Sequence, residues 1–167
     1  MKKILDACCG HRMLWFNKKH PEALYVDNRT VEDVKLSNGS TFNVKPDVVM
    51  DFRHLDLPDN SFSLVVFDPP HVARAGKASF LANKYGHLDK DTWQDDLRRG
   101  FAECFRVLKP DGVLVFKWNE CHIPLKDILA LTPVVPLFGQ RGGRTYKTHF
   151  VTFMKLQPSL PQKRRRC

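Results

Sequence analysis

The chain has 167 residues and a mass of 19.3 kDa, with 27 Lys and Arg against 18 Asp and Glu. That length fits one domain able to bury roughly two thirds of its unfolded surface, and the 43% apolar, 27% charged composition is that of an ordinary globular chain. A disordered tail, a collagen and a disulfide-stapled miniprotein are excluded, and the formal net charge of +9 points to an anionic partner.

No apolar run approaches the ~18 residues of a membrane span, so no membrane association is expected. The apolar stretch of the first ten residues, MKKILDACCG, stops at Asp6 and does not read as a signal peptide. The five cysteines (Cys8, Cys9, Cys104, Cys121, Cys167) form no C-x-x-C pair. Neither a zinc site nor a disulfide framework is expected, and free thiols suit a reducing cytoplasm.

In chain order, Lys3–Ala7 is a short apolar run, and a short helix is expected after Gly10. Leu24–Asp27 is a second run. Residues 31–44 read as a hairpin turning at Ser37-Asn38-Gly39-Ser40. Asp47–Asp51 and Ser63–Asp68 are the third and fourth runs. Such runs suit strands covered on both faces. Residues 72–90 show no clean periodicity and carry Arg74, Lys77, Lys84, His87 and Lys90 with Phe80 and Tyr85. A loop of that length in a small domain suggests function or disorder.

Trp93, Leu97, Phe101, Phe105 and Leu108 recur at helical spacing, so a helix is expected over about 91–108. Asp91 or Thr92 would cap it, and Lys109-Pro110-Asp111-Gly112 would stop it. Gly112–Trp118 is the fifth apolar run, and a short helix is expected near 124–131. Residues 133–137 and 149–156 read as an antiparallel edge pair around the loop 139–144. From residue 157 a basic tail follows, ending Lys163-Arg164-Arg165-Arg166-Cys167. Strands alternating with helices imply an α/β fold with a mostly parallel sheet.

Three features carry chemistry. Asp6-Ala7-Cys8-Cys9-Gly10 joins a strand to a turn of small residues, which lets a ligand approach the backbone. Asp27 ends the second strand 17 residues after Gly10, where a carboxylate can take the hydroxyls of a ribose. Asp51 and Phe52 could bracket an adenine. Asp68-Pro69-Pro70-His71 is the sharpest: two prolines stiffen the turn and supply no N–H. Asp68 and the Pro69 carbonyl are then fixed acceptors that can hold an amino group and aim its lone pair at an electrophile. Lys117-Trp118-Asn119-Glu120 could line the same pocket. His122 reads more readily as a helix cap than as a site residue. Cys8 and Cys9 read as small residues, and no metal site is expected.

The ordered set DACCG, YVDNR, MDF, DPPH and LKPDGVLVFKW resembles class I S-adenosylmethionine-dependent methyltransferases over about residues 3–155. DPPH is similar to the Asp-Pro-Pro-aromatic signature of amino-group methyltransferases, chiefly those acting on N6 of adenine. The small size and the YKTHFVTFMK ending look most like compact phage or prophage enzymes. The resemblance implies a single-domain Rossmann-like methyltransferase fold over 1–156. Its seven-stranded, mostly parallel sheet would have an antiparallel last strand, and 157–167 would be a disordered basic tail. It implies S-adenosylmethionine held by Asp6, Ala7, Cys8, Cys9 and Gly10 at the methionine part. Asp27 would hold the ribose, and Asp51 and Phe52 the adenine. Asp68, Pro69, Pro70 and His71 would be the catalytic turn. The expected substrate is a nucleic acid, DNA favoured and RNA possible, for a cytoplasmic, monomeric enzyme. An RNA or protein-amine methyltransferase, a small-molecule methyltransferase and a non-catalytic nucleic-acid-binding module are the alternatives. Two departures stand out: Cys8 where glycine is common, and His71 where the signature has Tyr, Phe or Trp.

Overall fold

In a computed structural model of the protein, residues 2–35, 39, 41–72, 87–142 and 147–157 are described. Nine strands and two helices lie within them: β1 (Ile4–Asp6), β2 (Ala23–Asp27), β3 (Val31–Lys35), β4 (Thr41–Val44), β5 (Val48–Val49), β6 (Phe62–Phe67), α1 (Trp93–Val107), β7 (Leu108–Asn119), α2 (Leu125–Leu129), β8 (Phe138–Gly142) and β9 (Thr148–Met154). Seven strands form one sheet in the order β5-β2-β1-β6-β7-β9-β8. The five from β5 to β7 run parallel, and β9 and β8 pair antiparallel beyond them. This is the expected sheet. β3 and β4 form the expected separate hairpin, with most of its turn outside the described residues.

The register explains where the site falls. β1 sits between β2 and β6, with Leu5 opposite both Leu24 and Val65. β1, β2 and β6 each run to an aspartate at or just past the carboxyl end: Asp6, Asp27 and Asp68. Three carboxylates thus reach one edge from neighbouring strands. That edge, where strand order reverses around β1, is where open α/β sheets bind ligands.

α1 packs its apolar stripe on one sheet face, burying Leu97, Phe101 and Cys104. The Phe101 ring meets Phe67 edge-on at 5.5 Å and Phe116 at 4.9 Å. Gly100 lets the helix come close: a Cβ there would lie 2.7 Å from the rings of both Phe52 and Phe67. Thr92 stands at the helix start, but its hydroxyl donates to the Asp96 carboxylate (2.9 Å) instead of capping a backbone N–H.

Four expectations need correction. No helix follows Gly10. Gly10 (φ 48°) and Arg12 (φ 59°) both take left-handed backbone, which a right-handed helix does not tolerate. The segment is instead tied down by Arg12. Its guanidinium lies 3.7 Å from the centre of the Tyr25 ring and donates to the Lys18 and Lys45 carbonyls (2.6 and 2.7 Å) and to Asp47 (3.0 Å). The apparent stop at 109–112 is strand: β7 starts directly after α1, pairing Leu108 with Phe62 and taking up the turn residues through bonds to Lys155. The first edge strand lies at Phe138–Gly142, not 133–137. Glycine-rich Gly139 and Gly142 sit inside β8, where the Cβ of any other residue at 139 would come 2.8 Å from the Phe150 carbonyl oxygen. β5 is shorter than the 47–51 run, with only Val48 and Val49 paired.

The expected loop at 72–90 falls largely outside the described residues, but its two ends are joined. The Leu88 N–H donates to the Val72 carbonyl (3.1 Å), and His87 Nδ1 lies 2.9 Å from the same oxygen. Among the described residues, no helix is long and apolar enough to cross a membrane.

Candidate active site

A cleft of about 1160 Å³ opens at the carboxyl ends of β1, β2, β6 and β7. It is lined by Asp6, Ala7, Cys8, Cys9, Gly10, Asp27, Phe52, Asp68, Pro69, Pro70 and His71, which come from four separate stretches of sequence. Of the residues read from the sequence as holding the cofactor or forming the catalytic turn, Asp51 alone is not at the cleft wall; of the stretch 117–120, Lys117 and Asn119 line it and Trp118 and Glu120 do not. Its carboxylate is clamped by the backbone N–H and guanidinium of Arg53, which also donates to Asp96 on α1 (3.0 Å). Asp51 therefore ties the third strand's exit to the helix, and Phe52 faces the cleft.

The loop after β1 stays in sheet-like contact on both sides. The Ala7 N–H donates to Val66 (3.0 Å) and the Cys9 N–H to Val26 (2.8 Å). This holds the small residues against the strand ends. At Gly10 the positive φ favours glycine, and a Cβ would meet no atom within 4 Å, so the space above it is open to a ligand. Gly10 N–H donates to Asp27 Oδ2 (2.9 Å), locking loop and second strand together.

Asp6 is almost wholly buried. Its Oδ2 accepts the Trp15 indole N–H (2.7 Å) and its Oδ1 the Cys8 N–H (3.4 Å). Burial lifts its carboxyl from an ordinary 3.8 to about 7, against the pull of these hydrogen bonds, and the charges of Asp68 and Asp27 add to the rise. Burial holds both thiols in their protonated form, pushing Cys9 up to about 12 and Cys8 well above its ordinary range. Both line the cleft as small side chains. Among the described residues no cluster of His, Cys, Asp and Glu could hold a metal ion.

Asp68 sits under the other half of the cleft. Burial raises its carboxyl, and Lys117 pulls it back down through a 2.6 Å hydrogen bond to Oδ2. His71 meets Trp118 edge-on with ring centres 6.3 Å apart. Burial lowers its imidazole to about 4, helped by Lys117 and His122, so the ring is neutral at pH 7. A neutral imidazole can stack on a base without paying to desolvate a charge.

Other wall residues were weakly signalled or missed in the sequence. Lys117 and Asn119 alternate with fully buried Trp118 on β7, as period-two geometry requires. His122, read from the sequence as a helix cap, lines the cleft instead, and it is Glu120 that accepts the Leu125 N–H (3.4 Å) at the start of α2. His87, Lys147 and Thr148 also reach the wall. They come from distant stretches, and only the antiparallel β9 and the closed ends at Val72 and His87 bring them there.

The donor set suits the cofactor implied by the resemblance. Asp6, Asp27 and Asp68 would face a cationic, hydroxyl-bearing ligand; open Gly10 would admit it to the backbone; Phe52 would offer it a flat apolar face.

No protein-family model matches the chain, and no curated protein matches it. Solved structures do. A S-adenosylmethionine-dependent methyltransferase of Methanosarcina mazei superposes with a TM-score of 0.58 at 14% identity, over 93% of each chain. A TehB-like methyltransferase of Corynebacterium glutamicum gives 0.57 at 16% identity, over 91% of this chain and 79% of that one. The 1,6-didemethyltoxoflavin-N1-methyltransferase of Burkholderia thailandensis, with S-adenosylhomocysteine bound, gives 0.55 at 16%, over 93% and 72%. The chain has the fold of these methyltransferases.

Proposed function

We propose that the protein is an S-adenosylmethionine-dependent methyltransferase acting on an exocyclic amino group of a nucleic-acid base, with adenine N6 in DNA the favoured acceptor. The observation that carries this reading is that the Asp68-Pro69-Pro70-His71 turn and the Asp6–Gly10 loop line one cleft. A cationic ligand on the loop side and an amine on the turn side would then share a wall.

When bound, the cofactor supplies an electrophilic methyl group on a positively charged sulfur. Asp6 and the loop to Gly10 would hold its methionine part, Asp27 its ribose and Phe52 its adenine. Asp68 accepts a hydrogen bond from the acceptor amine and stabilises the positive charge that grows on nitrogen during transfer. The Pro69 carbonyl takes the second N–H and fixes the direction of the lone pair. Neutral His71 packs against the acceptor ring. As the nitrogen gains the methyl group, the Asp68 carboxylate would take the amine's proton and pass it to water.

The charge distribution supports a polyanionic acceptor. Arg74, Lys77, Lys84, Arg144 and the four basic residues of 163–166 lie outside the described residues, and none of the 18 Asp and Glu do. Nearly all of the +9 surplus therefore belongs to these segments, two of which leave and rejoin the described chain beside cleft residues Val72, His87 and Lys147.

A second reading is a small-molecule nitrogen acceptor, as the name 1,6-didemethyltoxoflavin-N1-methyltransferase gives for the Burkholderia protein of similar fold. Mass spectrometry of nucleosides from DNA and RNA of expressing cells, beside Asp68→Ala, tests the proposal. Methylated adenine that depends on Asp68 is expected in DNA. Its appearance in RNA alone would move the acceptor. Its absence from both, with methyl transfer to small amines insensitive to salt, would favour the second reading.

A further inference from the structure

We propose that Lys117 is a positioning residue that stands in for the acceptor amine: its ammonium keeps Asp68 charged and turned into the cleft, and yields Oδ2 to the incoming amino group. The inference rests on the functional reading above and deepens it at the same site.

The contact is built by the sheet. β6 and β7 pair in parallel with Phe67 opposite Phe116, so the next residue of each strand, Asp68 and Lys117, falls side by side at the open end. Lys117 Nζ lies 2.6 Å from Asp68 Oδ2, a short charge-assisted hydrogen bond. Both side chains keep about a quarter of their surface exposed, 23% each, and both line the cleft. The bond thus lies where a ligand can reach it. Seen from the carboxylate, the N–H of an ammonium and the N–H of an exocyclic amine are the same kind of donor. Lys117 occupies the direction an acceptor would use.

The surroundings require such a cation. Pro69 and Pro70 carry no N–H, so the two residues that follow Asp68 cannot donate to its carboxylate from their backbone. Asp6 and the Cys8 thiol face Asp68 from the β1 loop and offer no positive charge. His71, in the same turn, is held neutral by burial. His122, beyond β7, acts on His71 in the same sense as Lys117 and lowers its imidazole. Removing the ammonium would leave a carboxyl in a buried wall beside other acids, which favours its protonated form. A protonated Asp68 would meet the acceptor amine with its own proton and lose the hydrogen bond that aligns it.

The stem of Lys117 also explains how the place is vacated. A lysine ammonium is a point charge on a four-carbon chain with many rotamers. It can withdraw along the cleft wall while remaining close enough to hold Asp68 ionised. On departure of the methylated product it returns.

The test reads Asp68 directly. Protein carrying ¹³C-carboxyl aspartate is titrated by NMR as wild type, Lys117→Met and Lys117→Arg, with Asp68→Asn to assign the signal. In Lys117→Met the Asp68 titration is expected to move up by about one pH unit or more, and in Lys117→Arg to stay near wild type. The acid limb of kcat/KM should move with it, so that Lys117→Met loses about tenfold at the pH of the limb and recovers as pH rises. Should Lys117→Met fail to fold, Lys117→Gln keeps the hydrogen bond without the charge and makes the same measurement. An unmoved Asp68 titration, or a loss of activity equal at every pH, overturns the proposal whatever the protein methylates. A shifted titration with no methyl transfer to any acceptor overturns the functional reading, and the displacement step with it.

Discussion

Single side chains set the chemistry of the cleft, and two of them give sharp tests. Asp6 keeps its proton to about pH 7 in the fold, against an ordinary 3.8. Between those values the folded state binds more protons than the unfolded chain. Its contribution to stability therefore falls as pH rises from about 4 through about 7. Asp6→Asn should remove this slope, so its melting temperature relative to wild type should rise between pH 5 and pH 8. Thermal melts in a pH series check this, and parallel curves would refute it. If a cationic cofactor binds against Asp6, calorimetry near pH 6 in buffers of different ionisation enthalpy should show proton release, lost in Asp6→Asn. His71 offers the second test. Stacking a base on a flat side chain contributes about 1–3 kcal/mol. His71→Ala should then lower kcat/KM by roughly ten- to a hundredfold, while His71→Tyr should preserve most of it. An unaltered His71→Ala would remove the ring from the acceptor's path.

At the scale of elements, helix-to-sheet spacing is what Gly100 decides. A methyl group there would lie 2.7 Å from the rings of Phe52 and Phe67, and both rings are locked in the core. Overpacking of this kind costs about 1–3 kcal/mol, offset by about 1 kcal/mol of better helix propensity. Gly100→Ala should lower the melting temperature and, because Phe52 lines the cleft, should weaken cofactor binding as well. Equal affinity in calorimetry would show that Phe52 is not part of the cofactor face.

The same scale shows what could be read in the residues. Apolar runs ending in aspartate placed β1, β2 and β6 with their carboxylates at one edge, because a strand covered on both faces needs continuous apolar sequence. Glycine misled twice. In β8 the residues 139–142 look like a loop, yet Gly139 is there for close approach to the β9 backbone. After Gly10 a helix looked natural, but the left-handed turn at Arg12 is set by its contacts with Tyr25, Lys45 and Asp47, all remote in sequence. Asp51 lies off the cleft wall for a related reason: its placement depends on Arg53 and on where α1 brings Asp96. Likewise nothing local to Lys117 signals an ion pair with Asp68, 49 residues away, and only the β6–β7 register creates it.

For the whole molecule, charge and cleft divide the labour. The described residues are close to electrically balanced, and the surplus sits in segments outside them. If the acceptor is a nucleic acid, affinity should fall steeply with salt, by a slope of about −0.9 for each phosphate contacted in duplex DNA. Removing residues 158–167, with their four basic residues, should flatten that slope without changing affinity for the cofactor. A slope identical in the shortened chain would place the phosphate contacts elsewhere, and a turnover indifferent to salt in both would favour a small acceptor.

The junction of Val72 with His87 and Leu88 bears on how such a protein can vary. To the sheet, the stretch between Val72 and His87 counts only through its two ends: whatever the number of residues between them, the chain departs and returns at one point. Lengthening a closed loop is cheap, about 0.6 kcal/mol for each doubling. The sheet, the carboxylate edge and α1 need not register the change. Descent could therefore lengthen, shorten or exchange this stretch while the machinery beneath it is inherited intact.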